Sequence, residues 1–170
     1  KNVSCQVGDA TVLSEIEDES FDVVLCLGPM YHLPLQERAQ VFSECRRVLR
    51  KSGIAAFAYI NKIGVYAGAC VHDDLRNVYP NEKANEYVLE KSTDDSSPDL
   101  FYYTIPEEIE TEGAEFGFEK VKNLGTNFMV TLSIVDSMSD EQFKVMRPLY
   151  DKMTSYESCA GMADHGLLIC

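Results

Sequence analysis

The chain has 170 residues, 45% of them hydrophobic and 25% charged, enough for a single domain with its own core. It carries 28 Asp and Glu against 15 Lys and Arg, for a net charge of −13. That balance argues against nucleic acid or an anionic membrane as partner, because both demand phosphate neutralisation by Lys and Arg.

In chain order, residues 3–7 alternate weakly and end at Gly8-Asp9-Ala10, a pattern that reads as a short strand entering a loop. Residues 11–20 are acidic and read as a surface turn or short helix. Phe21 to Leu27 is a nearly continuous apolar run, as expected of a strand covered on both faces. It stops at Gly28-Pro29, and Met30-Tyr31-His32-Leu33 leads into the clearest helix. Pro34 suits the first turn of that helix, and Leu35, Ala39, Phe42, Cys45 and Leu49 recur at helical steps. Arg46, Arg47, Arg50 and Lys51 suit the negative end of its dipole, and Ser52-Gly53 supplies a stop. Ile54 to Ile60 reads as a second buried strand. Strand, helix and strand joined by short connections imply a right-handed crossover and a parallel sheet.

Residues 62–104 interrupt this alternation. Helices are expected from Ile63 to Val71 and from Glu82 to Leu89, followed by a polar turn-forming stretch over 92–99. An insertion this long beyond a strand's carboxyl end is placed to act as a lid. Thr104 and Glu107 have capping-box spacing, and Phe118 to Leu124 reads as a strand. Ser139 and Gln142 form a second capping box before a helix bearing Phe143, Met146, Tyr150 and Met153, with Pro148 as a point of bending. Gly166 to Cys170 is a final strand. No repeat or boundary divides the chain, which reads as one domain over residues 1–170.

Ligands of open α/β sheets sit beyond the carboxyl ends of the strands, so the turn after Phe21–Leu27 marks a candidate site. His32 at the helix mouth has three roles open to it: proton acceptor, orienting donor, or a cap packed on the turn. Asp9 at a strand end can accept a hydrogen bond from an amine, or simply close a Gly-Asp turn. His72 and the following acidic residues read as a solvated helix face, and His165 either enters the cleft or lies in a surface turn. No metal site is expected. The six cysteines contain no CxxC pair or zinc-ligand spacing, and Cys26 and Cys45 fall on apolar positions. Reduced thiols of this kind suit a cytoplasmic protein.

Four pieces together resemble the class I S-adenosylmethionine-dependent methyltransferases: Gly-Asp-Ala at 8–10, Phe-Asp-Val-Val leading to Leu-Gly-Pro-Met-Tyr-His-Leu at 27–33, Arg-Val-Leu-Arg-Lys-Ser-Gly at 47–53, and the strand ending Gly-Leu-Leu-Ile at 166–169. The resemblance implies a Rossmann-like, mostly parallel sheet with helices on both faces and an antiparallel final strand. It implies S-adenosylmethionine as cofactor and methyl transfer to a small-molecule acceptor. By the same resemblance, Asp9 and Ala10 hold the adenine, Leu27, Gly28 and Pro29 line the methionine side, and Tyr31 and His32 border the acceptor as candidate catalytic residues.

The family's first strand, glycine-rich loop and ribose-binding acid have no counterpart in these 170 residues. The expectation is therefore a longer parent protein, or pairing of the open sheet edge at Val23–Leu27 with another copy of the chain. Two rivals remain: a degenerate methyltransferase-like module that binds a partner without catalysis, and a nucleotide-dependent oxidoreductase.

Overall fold

Four strands form one sheet in the order β1-β2-β4-β3: β1 Phe21–Cys26, β2 Leu49–Ile60, β3 Lys122–Asn127 and β4 His165–Ile169. The computed structural model describes residues 3–72, 74–75, 77–90, 101–128 and 134–170. β1 and β2 run parallel, with Val24 beside Ala55 and Cys26 beside Phe57. β4 is antiparallel to both β2 and β3, pairing Ile60 with His165 and Leu124 with Leu167. The final strand thus enters the sheet in the reverse direction, as the resemblance implied.

Helix α1, Leu35–Val48, crosses from β1 to β2. Its buried side chains Val41, Phe42, Cys45 and Val48 recur at three- and four-residue steps, and the first three join Cys26, Ala55 and Phe57 in one core cluster. Phe42 is the centre of this contact, with ring centroids 4.6 Å from Phe57 and 5.7 Å from Phe116. Truncating such a fully buried aromatic residue to Ala costs about 3–5 kcal/mol. Helix α4, Pro106–Glu115, covers the same face through Ile109 and through Gly113, whose Cα side rests against Leu168. Helices α2, Lys62–Val71, and α3, Glu82–Glu90, stand beyond the carboxyl end of β2, and α5 covers Asp140–Met153.

Several expectations are corrected. Residues 3–8 take no regular structure and Val3 and Val7 are exposed, because among the described residues no strand pairs with them. β1 is not covered on both faces. Val23, Leu25 and Leu27 are 52%, 62% and 58% exposed, and Ile54 on the neighbouring strand is exposed beside them. β1 is also an edge of the sheet. α1 ends at Val48, four residues before Ser52, since Leu49 is already extended and opposite Phe21 in the sheet. The Thr104–Glu107 capping box does not form. Ile105 caps α4, and the Thr104 hydroxyl reaches Glu108 at 3.2 Å instead. The third strand starts at Lys122 rather than Phe118, because Phe118 is drawn into the core against Phe57. The capping box at Ser139 does form, with Ser139 and Gln142 bonded reciprocally. The polar stretch over 92–99 lies outside the described residues.

The basic cluster does more than face a helix terminus. Arg47 donates to the carbonyls of Leu13 and Ile16 at 2.8 Å and pairs with Glu44 and Asp18, fastening residues 13–18 along α1. Arg50 donates to the Glu19 carbonyl and pairs with Asp22.

Candidate functional site

The turn that follows β1 is assembled around the Cys26 sulfur. The backbone N–H groups of Gly28 and Met30 donate to it, and it also meets the Cys45 thiol across the β1–α1 contact. That thiol contact and burial push the Cys26 thiol well above its ordinary value, so it stays protonated. Pro29 opens a single 3-10 turn over Pro29–Tyr31 and sends Met30 into the core. Gly28 is extended, with φ of −176°, so its backbone does not demand glycine. What glycine contributes is room: nothing stands within 4 Å of the position a Cβ would take.

Tyr31 and His32 then project into an aromatic group. Their ring centroids lie 4.7 Å apart, and Phe101 stands 5.1 Å from His32 and 6.3 Å from Tyr31. Phe101 stacks on Tyr103, which meets Tyr87 of α3 edge-on. The Tyr102 N–H donates to the Tyr31 carbonyl at 3.0 Å, so residues 101–104 return across the mouth of the turn. Thr104 continues that path by exchanging backbone bonds with Ile60 and Lys62 at the end of β2. An apolar, ring-lined rim with one imidazole can hold a partly apolar small molecule and offer it one hydrogen bond.

Asp9 and Ala10 lie on a separate segment. Asp9 Oδ1 accepts from the Thr11 N–H at 2.8 Å and the Thr11 hydroxyl at 2.7 Å, and these bonds hold its carboxyl below the ordinary value. Oδ2 has no partner among the described residues, which leaves one carboxylate oxygen able to accept from an amine. Ala10 packs against the same core cluster that contains Cys26 and Met30. Leu27, Gly28 and Pro29 sit together on the turn with Tyr31 and His32; among the described residues no hydrogen bond joins the Asp9 carboxylate to them.

A second group lies at the same end of the sheet, of which the sequence singled out only His165, left between cleft and surface turn. Asn61, the residue after β2, is fully buried; its side chain caps α2 through the Ile63 N–H and donates to the carbonyls of Gly161 and Ala163 at 3.0 and 2.9 Å. This clamp holds the turn leading to Asp164 and His165. The Asp164 carboxylate accepts from the Asn127 amide at 3.0 Å and lies 2.8 Å from His165 Nδ1. A bulge between Gly125 and Asn127 in the β3–β4 pairing marks the place. The signal available beforehand was small: Asn at a strand end and Asp beside His. Among the described residues, no group of three His, Cys, Asp or Glu side chains could hold a metal ion, and no helix is long and apolar enough to cross a membrane.

Comparison with known proteins bears on the fold that carries this arrangement. The model of a methyltransferase-domain family matches residues 1–57, about a third of the chain. The structure superimposes on a SAM-dependent methyltransferase of Thermotoga maritima, described as a possible histamine N-methyltransferase, with a TM-score of 0.53 at 17% identity over 95% of this chain and 60% of that one. The chain has the fold of the class I S-adenosylmethionine-dependent methyltransferases. Two further structures align with the chain. The PH0226 protein of Pyrococcus horikoshii OT3 aligns at 24% identity and a TM-score of 0.50, over 74% of this chain and 55% of that one. The [4+2]-cyclase SpnF aligns at 16% identity and a TM-score of 0.52, over 96% and 53%. This chain therefore spans somewhat over half the length of the solved structures it matches. No curated protein matches it.

Proposed function

We propose that this chain is part of a methyltransferase that transfers the methyl group of S-adenosylmethionine to a small molecule. The observation that carries the reading is the turn from Leu27 to Leu33, which follows the first parallel strand and presents open space at Gly28 beside the Tyr31–His32–Phe101 group. The residues present suit the cofactor. Asp9 keeps a free carboxylate oxygen for an amine such as that of adenine, Ala10 backs it, and Leu27, Gly28 and Pro29 offer an apolar, uncrowded turn to the methionine side. When bound, S-adenosylmethionine supplies an electrophilic methyl carbon. The chain's own contribution is to hold the acceptor in line with that carbon and to keep water away.

In this reading Tyr31 and His32 border the acceptor, and His32 orients or deprotonates it. Residues 62–104 act as the lid, because Phe101 packs on Tyr31 and His32 and is itself backed by Tyr103. The acidic surface favours an acceptor other than DNA or RNA, and the protein acts in the cytoplasm. Calorimetry with S-adenosylmethionine on the full-length protein is the test: binding in the micromolar range supports the reading, and absence of binding overturns it. His32→Ala should reduce turnover or weaken acceptor binding; a variant unchanged in both removes His32 from the site.

One observation favours a second reading. The exposed edge strand β1, with Val23, Leu25 and Leu27 open to solvent, suits a non-catalytic module that associates through this edge. The cyclase with the same fold shows that the fold does not dictate methyl transfer. Stable dimers without cofactor binding would select this alternative.

A further inference from the structure

The Asp164–His165 pair has the construction of a proton-accepting dyad. Asp164 is 5% exposed at its side chain and is anchored on both sides: its carbonyl accepts from the Asn61 N–H, and its own N–H donates to the Asn127 carbonyl. Its carboxylate lies 2.8 Å from His165 Nδ1, while the imidazole itself is 46% exposed. A buried carboxylate at that distance favours the tautomer with the proton on Nδ1. Nε2 then carries the free lone pair, and among the described residues it has no partner. Gly64 of α2 packs directly on the Ala163 backbone, where an added Cβ would overlap the carbonyl, so the turn bearing the dyad has little freedom.

The dyad also stands at the functional end of the sheet. His165 pairs with Ile60, the last residue of β2, and Ile60 accepts from Thr104 at 3.0 Å. Residues 102–104 therefore run without a break from Tyr31 to the strand beside His165. β4 lies two strand spacings from β1, roughly 10 Å, a distance one small molecule can bridge.

We propose that His165 accepts the proton of the acceptor's nucleophile, which leaves His32 the orienting role, and that Asp164 is the positioning residue of His165. This rests on the methyl-transfer reading and narrows it to acceptors carrying a removable proton, a hydroxyl or an amine. The nucleophile's lone pair forms a bond to the methyl carbon of the sulfonium donor, and the carbon–sulfur electron pair leaves with sulfur as a neutral thioether. The nucleophile's proton passes to His165 Nε2, and the resulting imidazolium is compensated by Asp164.

Three measurements on the full-length protein test it. Nitrogen NMR should show neutral His165 protonated at Nδ1 in the wild type and redistributed toward Nε2 in Asp164→Asn. Acylation by diethyl pyrocarbonate should be faster at His165 than at His72 and slower in Asp164→Asn. Turnover of hydroxyl and amine acceptors, followed by thioether release, should fall on the order of a hundredfold in His165→Gln with cofactor affinity unchanged. A wild-type Nε2–H tautomer, equal acylation at His165 in both proteins, or unchanged turnover in His165→Gln overturns the dyad while S-adenosylmethionine still binds. Failure of the wild type to bind S-adenosylmethionine instead removes the methyl-transfer reading and the proposal with it, whatever the tautomer.

Discussion

Asn61 and Ala163 join the end of β2 to the start of β4, the Asn61 amide donating to the Ala163 carbonyl at 2.9 Å across 102 residues of chain. The same side chain accepts from the Ile63 N–H, so a single residue caps α2 and closes the carboxyl edge of the sheet.

Asn61→Ala should therefore destabilise the fold by about 2–4 kcal/mol. It removes a helix cap and leaves buried carbonyls without their donor. Urea denaturation of the variant against the wild type reads this directly, and a loss under about 0.5 kcal/mol would contradict the clamp.

Arg38 and Glu112 make a bidentate pair between α1 and α4, at 3.0 and 2.9 Å, with Arg38 only 1% exposed. Burial nevertheless pushes the Glu112 carboxyl above its ordinary value despite Arg38 beside it. Desolvation thus outweighs attraction, and the pair adds little net stability. Arg38→Ala should cost about 3–5 kcal/mol by stranding the carboxylate, whereas Arg38→Met combined with Glu112→Leu should be close to neutral. Thermal melts of the two variants separate these outcomes.

Glu44 behaves in the opposite sense. Its hydrogen bond from Arg47 holds the carboxyl below the ordinary glutamate value. A lowered folded value means that its stabilisation is complete above the unfolded value and is lost as pH falls through the folded one. Carboxyl-carbon NMR titration should show Glu44 titrating below an ordinary glutamate in the wild type and moving upward in Arg47→Ala. Limited proteolysis of that variant should also cut first within residues 13–18, which Arg47 fastens.

Leu25 stands exposed in the middle of an open edge strand. Leu25→Lys should leave the fold's stability within about 0.5 kcal/mol of the wild type, since little buried contact is lost. Any self-association of the chain should drop sharply, because a charge on an edge strand blocks edge-to-edge pairing. Sedimentation velocity of both proteins checks it.

Residues 3–7 show why one early expectation failed. Weak alternation allows a strand, but a strand is stable only when a neighbour accepts its hydrogen bonds, and among the described residues none pairs with it. Phe118 shows a different cause. The segment Phe118 to Leu124 looked extended throughout, yet the Phe118 ring packs against Phe57 and Phe42 and the ladder starts only at Lys122.

What the sequence determined by itself was local. The recurrence of Leu35, Ala39, Phe42 and Cys45 marked α1, although Leu49, the last of that series, lies in β2; the Ser139–Gln142 box began α5 and Gly28-Pro29 ended β1, because periodicity, caps and turn chemistry act within a few residues. The tertiary structure alone decided that Asn61, Asn127, Asp164 and His165 converge at one end of the sheet, and that one face of β1 is left open. Those relations join residues tens of positions apart through strand pairing and burial, and no short stretch of sequence carries a record of its distant neighbour.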